Sequence, residues 1–157
     1  MKEKTIIVTG GAGFIGSNLI KYFMANSGYR IINLDKLTYA GSLQSLKNIE
    51  MNSRYKLEKV DICDINEVRR VFTEYNPDYI INLAAESHVD RSIDGPGTFI
   101  QTNIVGTYVL LDATMQYFKR LDEPKKKMFR FLHVSTDEVF GTLDKHSYFT
   151  EDTPYDP

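Results

Sequence analysis

Two carboxylates stand side by side at Asp137-Glu138, behind Ser135-Thr136 and an apolar run that starts at Phe129. Adjacent acids near a buried strand end are costly unless they are solvated, paired or put to use. In an extended strand they point to opposite faces, so a turn has to bring both into one pocket. A working pair divides into a protonated acid and an ionised base, set apart by burial and mutual repulsion. The same residues also fit an ordinary surface Asp-Glu turn. A second polar run, Glu86-Ser87-His88-Val89-Asp90-Arg91-Ser92, follows Asn82-Leu83-Ala84-Ala85. Small residues directly after a strand let a flat ring lie close to the backbone, and the polar residues behind them suit ribose, phosphate or sugar hydroxyls. A plain polar loop is the alternative.

The third feature has the most specific spacing. In Ile6-Ile7-Val8-Thr9-Gly10-Gly11-Ala12-Gly13-Phe14-Ile15-Gly16 an apolar strand ends in a glycine-rich turn and a helix begins at once. The early glycines permit a turn without side chains, so that backbone can approach a pyrophosphate, and Gly16 lets the helix pack on the strand. Helix N–H groups and the positive end of the dipole then favour phosphate. Ile31-Ile32-Asn33-Leu34-Asp35 puts an acid at the end of the next strand, at the offset where a carboxylate meets the adenosine ribose. A carboxylate there repels a 2′-phosphate, which argues for NAD over NADP.

These residues need strand ends to hold them. β-rich runs occur at 5–9, 30–34, 55–60, 79–83 and 129–135, with helical stretches at 14–26, 42–48, 66–75 and 96–121. Strands apolar on both faces and separated by helices predict an α/β fold, a Rossmann-type doubly wound parallel sheet with its ligand crevice at the carboxyl ends. The helix from Pro96 spans roughly 25 residues, or about 38 Å. One face carries Ile100, Ile104, Tyr108, Leu111, Met115 and Phe118; a neighbouring face carries Phe99, Gly106, Leu110, Ala113 and Tyr117. That band is wider than one sheet requires, so part of it is expected to meet another helix or a second subunit.

The 157 residues fit one domain, and a formal charge of −2 leaves no electrostatic footprint for nucleic acid or an anionic membrane. Lys125-Lys126-Lys127 reads as a solvated loop before a strand. No apolar stretch approaches a membrane span, and Met1-Lys2-Glu3-Lys4 runs straight into a core strand rather than a signal peptide. The single cysteine, Cys63, excludes an internal disulfide framework and reads as a reduced thiol, so the chain is expected to be cytoplasmic. His88, His133 and His146 are far apart and no cysteines pair, so no metal site is expected.

The chain resembles the extended short-chain dehydrogenase/reductase family from Lys4 to Pro157. The likeness rests on Thr9-Gly10-Gly11-Ala12-Gly13-Phe14-Ile15-Gly16-Ser17-Asn18, Leu34-Asp35-Lys36-Leu37-Thr38-Tyr39-Ala40-Gly41, Asp61-Ile62, the run 84–92, Thr102-Asn103 and Ser135-Thr136-Asp137-Glu138-Val139-Phe140-Gly141. The Thr-Asp-Glu triplet discriminates within the family: epimerases usually lack the acid pair, and decarboxylases and GDP-mannose dehydratases usually show Ser-Glu. The resemblance implies NAD as cofactor, with Gly10, Gly13, Phe14, Ile15 and Gly16 at the pyrophosphate and Asp35, Lys36, Thr38 and Gly41 around the ribose. It places Asp61 and Ile62 at the adenine, and Leu83, Ala84, Ala85 and Thr102 along the cofactor. It implies a nucleotide-sugar substrate, dTDP-glucose, met by Ser87, His88 and Thr136. Glu138 is then the base at carbon 5 and Asp137 the acid at the carbon 6 hydroxyl, giving a 4-keto-6-deoxy sugar. The family's Tyr-x-x-x-Lys pair is expected beyond Pro157, so the 157 residues read as an incomplete sheet, with the last strands and a substrate domain missing and little turnover alone. A homodimer through helix 96–121 is implied. The alternatives are a UDP-glucose dehydratase, an epimerase and a non-catalytic NAD-binding module.

Overall fold

Five short runs of β-branched and aromatic residues form one parallel sheet in a computed structural model that describes residues 3–145 and 147–157, apart from the side chains of Val89 and Arg91. Met1, Lys2 and His146, which entered the arguments on a leader and on metal ligands, lie outside the described residues. The strands are β1 (Thr5–Thr9), β2 (Arg30–Leu34), β3 (Tyr55–Glu58), β4 (Tyr79–Asn82) and β5 (Arg130–His133), in the order β3-β2-β1-β4-β5. All five residues of β1 are buried, as a central strand covered on both faces must be. The order reverses at β1, so β2 and β4 diverge from it and leave a crevice at their carboxyl ends.

The helices follow from local signals. Helix α1 (Phe14–Asn26) starts at Gly13 with no side-chain cap, and buries Gly16, Ser17, Ile20 and Met24. Helix α2 (Ile65–Tyr75) is capped by Asp64, whose carboxylate accepts from the Asn66 and Glu67 N–H groups, and it buries Val68, Val71, Phe72 and Tyr75. Asn76 in the left-handed conformation ends it. A short helix α3 (Val89–Asp94) precedes a long helical run of three parts: α4 (Pro96–Phe99), a π-helical segment (Ile100–Gly106) and α5 (Thr107–Lys119). The expected single α-helix is therefore corrected to one interrupted by a π-turn. Its inner face is the second of the two expected ones, with Gly106, Leu110 and Ala113 buried against the sheet. The other face, Ile100, Ile104, Tyr108, Leu111 and Met115, is exposed.

Three smaller expectations are also corrected. The lysine run is not a loop: Asp122 accepts from the Lys125 N–H and caps helix α6 (Glu123–Met128), with Pro124 in its first turn and the lysines in its last. The segment expected as a helix over 42–48 is a 3-10 turn, Leu43–Leu46. Strands β3, β4 and β5 stop short of Val60, Leu83 and Ser135, because the chain leaves the ladder where it enters the crevice loops.

The core lies on both sides of the sheet. On one, Ile7, Ile32, Val60, Ile62, Phe72, Ile80 and Leu110 pack with α2 and α5; on the other, Ile6, Val8, Ile20, Ile31 and Leu46 pack with α1. This is the doubly wound arrangement expected from the alternation of strands and helices. Strand β5 forms one edge and is the most exposed of the five, with Leu132 and the adjoining Val134 open to solvent.

Candidate active site

The glycine turn requires its glycines. Gly10 sits at φ +66°, and a Cβ there would lie 2.8 Å from the Ala84 backbone. A Cβ on Gly16 would lie 2.6 Å from the Gly11 Cα, so α1 can approach the turn this closely only without a side chain. The Gly13 N–H donates to the Gly10 carbonyl at 3.1 Å and the Ser17 N–H to the Gly13 carbonyl at 2.9 Å, closing the first turn of α1. With neither a capping side chain nor an acid in its first turn, α1 keeps donors and a positive dipole end for an anion. Phe14 and Ile15 are exposed beside it. A cleft of about 410 Å³ opens there, lined by Ala12, Gly13, Phe14, Ala40 and Ser42 among others.

The β2 loop folds back over this turn. Asp35 accepts from the Ala12 N–H at 2.8 Å through one carboxylate oxygen and from the Leu37 N–H at 2.8 Å through the other. Gly41 donates to the Thr38 carbonyl and Ser42 to the Ala12 carbonyl. Asp35 is thus fixed beside the turn, and a carboxylate with four lone pairs retains capacity for a ribose hydroxyl. Lys36 reaches across to the Thr102 hydroxyl at 3.3 Å and the Asp61 carboxylate at 3.5 Å. Burial alone pushes the Asp61 carboxyl up, but the Cys63 N–H it accepts and the Lys36 ammonium hold it below its ordinary value. Burial and the same carboxylate push the Cys63 thiol up, which keeps it protonated to donate to the Gln101 carbonyl. Ile62 is buried in the core, so what it offers the crevice is backbone rather than side chain.

The opposite wall is the loop after β4. The Leu83 and Ala84 N–H groups donate to the Thr9 hydroxyl, each at 3.2 Å, and Ala85, Ser87 and His88 are exposed beyond them. Glu86, nearly buried, has both its backbone groups clamped by the Asn103 side chain at 2.8 Å. Its carboxylate accepts from the Tyr39 hydroxyl at 3.0 Å, joining the β2 and β4 loops. The roles of Tyr39, Glu86 and Asn103 were not legible in the sequence, because their partners meet only once the loops are placed.

At the end of β5, a 3-10 turn (Asp137–Phe140) holds the acid pair. Thr136 caps it, accepting from the Glu138 N–H and donating to the Asp137 carboxylate, each at 3.3 Å. The acids thus stand on a turn rather than in an extended strand. Both are solvent-exposed, so the burial that sets an acid apart from a base is not supplied by the described residues. Among the described residues no cluster of three or more histidine, cysteine or acid side chains could hold a metal ion.

The dTDP-glucose 4,6-dehydratase of Haemophilus influenzae is 55% identical over 153 residues, covering 97% of this chain and 45% of its own length. The crystal structure of the Bacillus anthracis dTDP-glucose 4,6-dehydratase in complex with NAD superposes with a TM-score of 0.82 at 37% identity, over 98% of this chain and 44% of that one. The Thermus thermophilus UDP-glucose 4-epimerase complex with NAD gives 0.80 at 27% identity, over 98% and 44%. The chain therefore spans under half the length of these relatives. A family model described as GDP-mannose 4,6 dehydratase matches residues 7–157, nearly the whole of the sheet and both crevice walls, and the chain belongs to that family.

Proposed function

We propose that this chain is the cofactor-binding portion of an NAD-dependent dehydratase that converts dTDP-glucose to its 4-keto-6-deoxy sugar nucleotide. The observation that carries the reading is the Thr136-Asp137-Glu138 turn, which presents a hydroxyl and two carboxyls at the end of the strand beside β4. The residues present fit the cofactor: a turn at Gly10 that no Cβ could enter, an uncapped α1, and an acid fixed at Asp35. NAD bound there would supply a hydride acceptor for carbon 4 of the sugar and a donor for carbon 6.

The chain's own residues do the rest. Gly10, Gly13, Phe14, Ile15 and Gly16 hold the pyrophosphate, and Asp35, Lys36, Thr38 and Gly41 the ribose, with Asp35 disfavouring a 2′-phosphate. Asp61 and the Ile62 backbone flank the adenine. Leu83, Ala84, Ala85 and Thr102 line the way to the sugar, where Ser87, His88 and Thr136 bind hydroxyls. Thr136 holds the oxygen on carbon 4. Glu138 removes the carbon 5 proton, and Asp137 protonates the carbon 6 hydroxyl as it leaves as water. Residues 1–157 form the NAD-binding domain, and the exposed face of the π-helical segment and α5 pairs two copies.

The test uses the full-length gene product with NAD and dTDP-glucose, following loss of water by mass. Glu138→Gln should lower turnover by about 10²–10⁴-fold, the usual contribution of a general base. Dehydration that survives that change sinks the assignment. A product epimerised without loss of water would favour the epimerase, and better turnover of UDP-glucose would move the substrate. A coding sequence that runs past codon 157 into Tyr-x-x-x-Lys supports the reading; NAD binding with no turnover leaves the binding module.

A further inference from the structure

Three polar side chains lie in one row across the carboxyl edge of the sheet. Thr9 on β1 is in register with Asn82 on β4, and Asn82 with His133 on β5. Thr9 and Asn82 are buried to within 1% of their surface, in a sheet whose buried side chains are mostly aliphatic. Each is hydrogen-bonded to the next: Thr9 Oγ1 to Asn82 Oδ1, and Asn82 Nδ2 to His133 Nδ1 at 3.0 Å.

The direction of every bond in the row is determined. Thr9 Oγ1 already accepts from the Leu83 and Ala84 N–H groups, which use both its lone pairs. Its own proton must therefore go to Asn82. If the amide were turned round, three donors would converge on one hydroxyl and the hydroxyl proton would have no acceptor. So Asn82 Oδ1 faces Thr9, its NH2 faces the imidazole, and His133 Nδ1 must be the acceptor. The neutral ring then carries its proton on Nε2.

We propose that Thr9, Asn82 and His133 form a directional hydrogen-bonded row that positions the two halves of the site relative to each other. At one end the row grips the Leu83 and Ala84 N–H groups, next to the Gly10 turn. At the other it ends on the strand that leads, three residues on, into Thr136-Asp137-Glu138. Asn82 and His133 are then positioning residues, acting through the loops they hold. The link to the cofactor crevice rests on the function proposed above; the row itself does not.

The test is nitrogen NMR of the full-length protein labelled in histidine, with His133 assigned from the His133→Asn variant. Wild type should show an unprotonated Nδ1 and a protonated Nε2. Asn82→Asp, whose carboxylate can only accept, should invert the pair. A protonated Nδ1 in wild type overturns the proposal without need of any variant. NAD titration supplies the functional readout. His133→Leu should weaken binding roughly three- to tenfold, the worth of one hydrogen bond. His133→Asn keeps an acceptor at the place of Nδ1 and should stay within about twofold of wild type on the same scale. Equal losses in both variants overturn the positioning role. Wild type with the stated tautomer but no NAD binding would sink the proposed function and the crevice half of this inference, leaving the row intact.

Discussion

At the scale of single residues, charge placement decides what the crevice accepts. Asp35 is held by two backbone donors beside the glycine turn, so its negative charge is fixed where the proposed function needs it to meet a ribose. Asp35→Asn should weaken NAD binding about tenfold or more, the worth of a hydrogen bond to a charged group, and narrow the preference over NADP; parallel titrations with the two cofactors measure both. Glu58 carries a different kind of information. Burial alone would raise its carboxyl, but the Tyr75 hydroxyl at 2.5 Å and the Arg70 guanidinium at 2.7 Å hold it below its ordinary value. The folded state therefore binds this proton less readily than the unfolded one, and its contribution is present above the unfolded value and lost on acidification. Asp61 acts in the same sense. Urea midpoints measured at about pH 7 and about pH 4, across the start of the carboxylate range, should fall less for Glu58→Gln than for wild type. The glycines and Asp35 were legible because sequence spacing alone sets their geometry. The Tyr39–Glu86 and Asn82–His133 bonds were not, since their partners are 47 and 51 residues apart.

At the scale of elements, caps and interruptions explain both the successes and the corrections. Helix α2 carries both helix signals, buried positions at helical spacing and a capping Asp ahead of them. Asp64→Ala should cost about 1 kcal/mol, seen as a shift in denaturation midpoint at unchanged slope. Helix α6 had the same signal, Asp122 followed by Pro124, but a run of lysines reads as a loop when their place in a last turn is overlooked. The π-helical segment has no comparable signature. Its apolar spacing is that of an ordinary helix, and only the contacts of its residues show what it holds: Thr102 receives Lys36, Gln101 receives Cys63, and Asn103 clamps Glu86. π-turns are frequent at functional sites, and this one touches the loops of β2, β3 and β4 together.

At the scale of the whole molecule, the alternation of strands and helices sufficed for the doubly wound parallel sheet, while the exposed faces show what the 157 residues leave open. Ile104 and Tyr108 are 63% and 68% exposed in the middle of an apolar stripe, and a second copy laid along it would bury both. Tyr108→Glu should halve the mass measured by sedimentation equilibrium while leaving the circular dichroism unchanged; an unaltered mass would place the subunit contact elsewhere. Among the described residues no helix is long and apolar enough to cross a membrane. The reversal of strand order at β1 also has a consequence for synthesis. A ribosome releases β1, β2 and β3 in the order in which they pair, so one wing of the sheet can zip up from near neighbours as it emerges. The other wing cannot: β4 must return to β1 across some seventy residues of chain, and loop-closure entropy makes that the slow pairing. The crevice lies between the two wings, so it comes into being only once β4 has docked on β1. By mass action, a dinucleotide that binds only the closed crevice would favour the docked sheet over the open one, so the proposed cofactor would also act as a latch on that pairing.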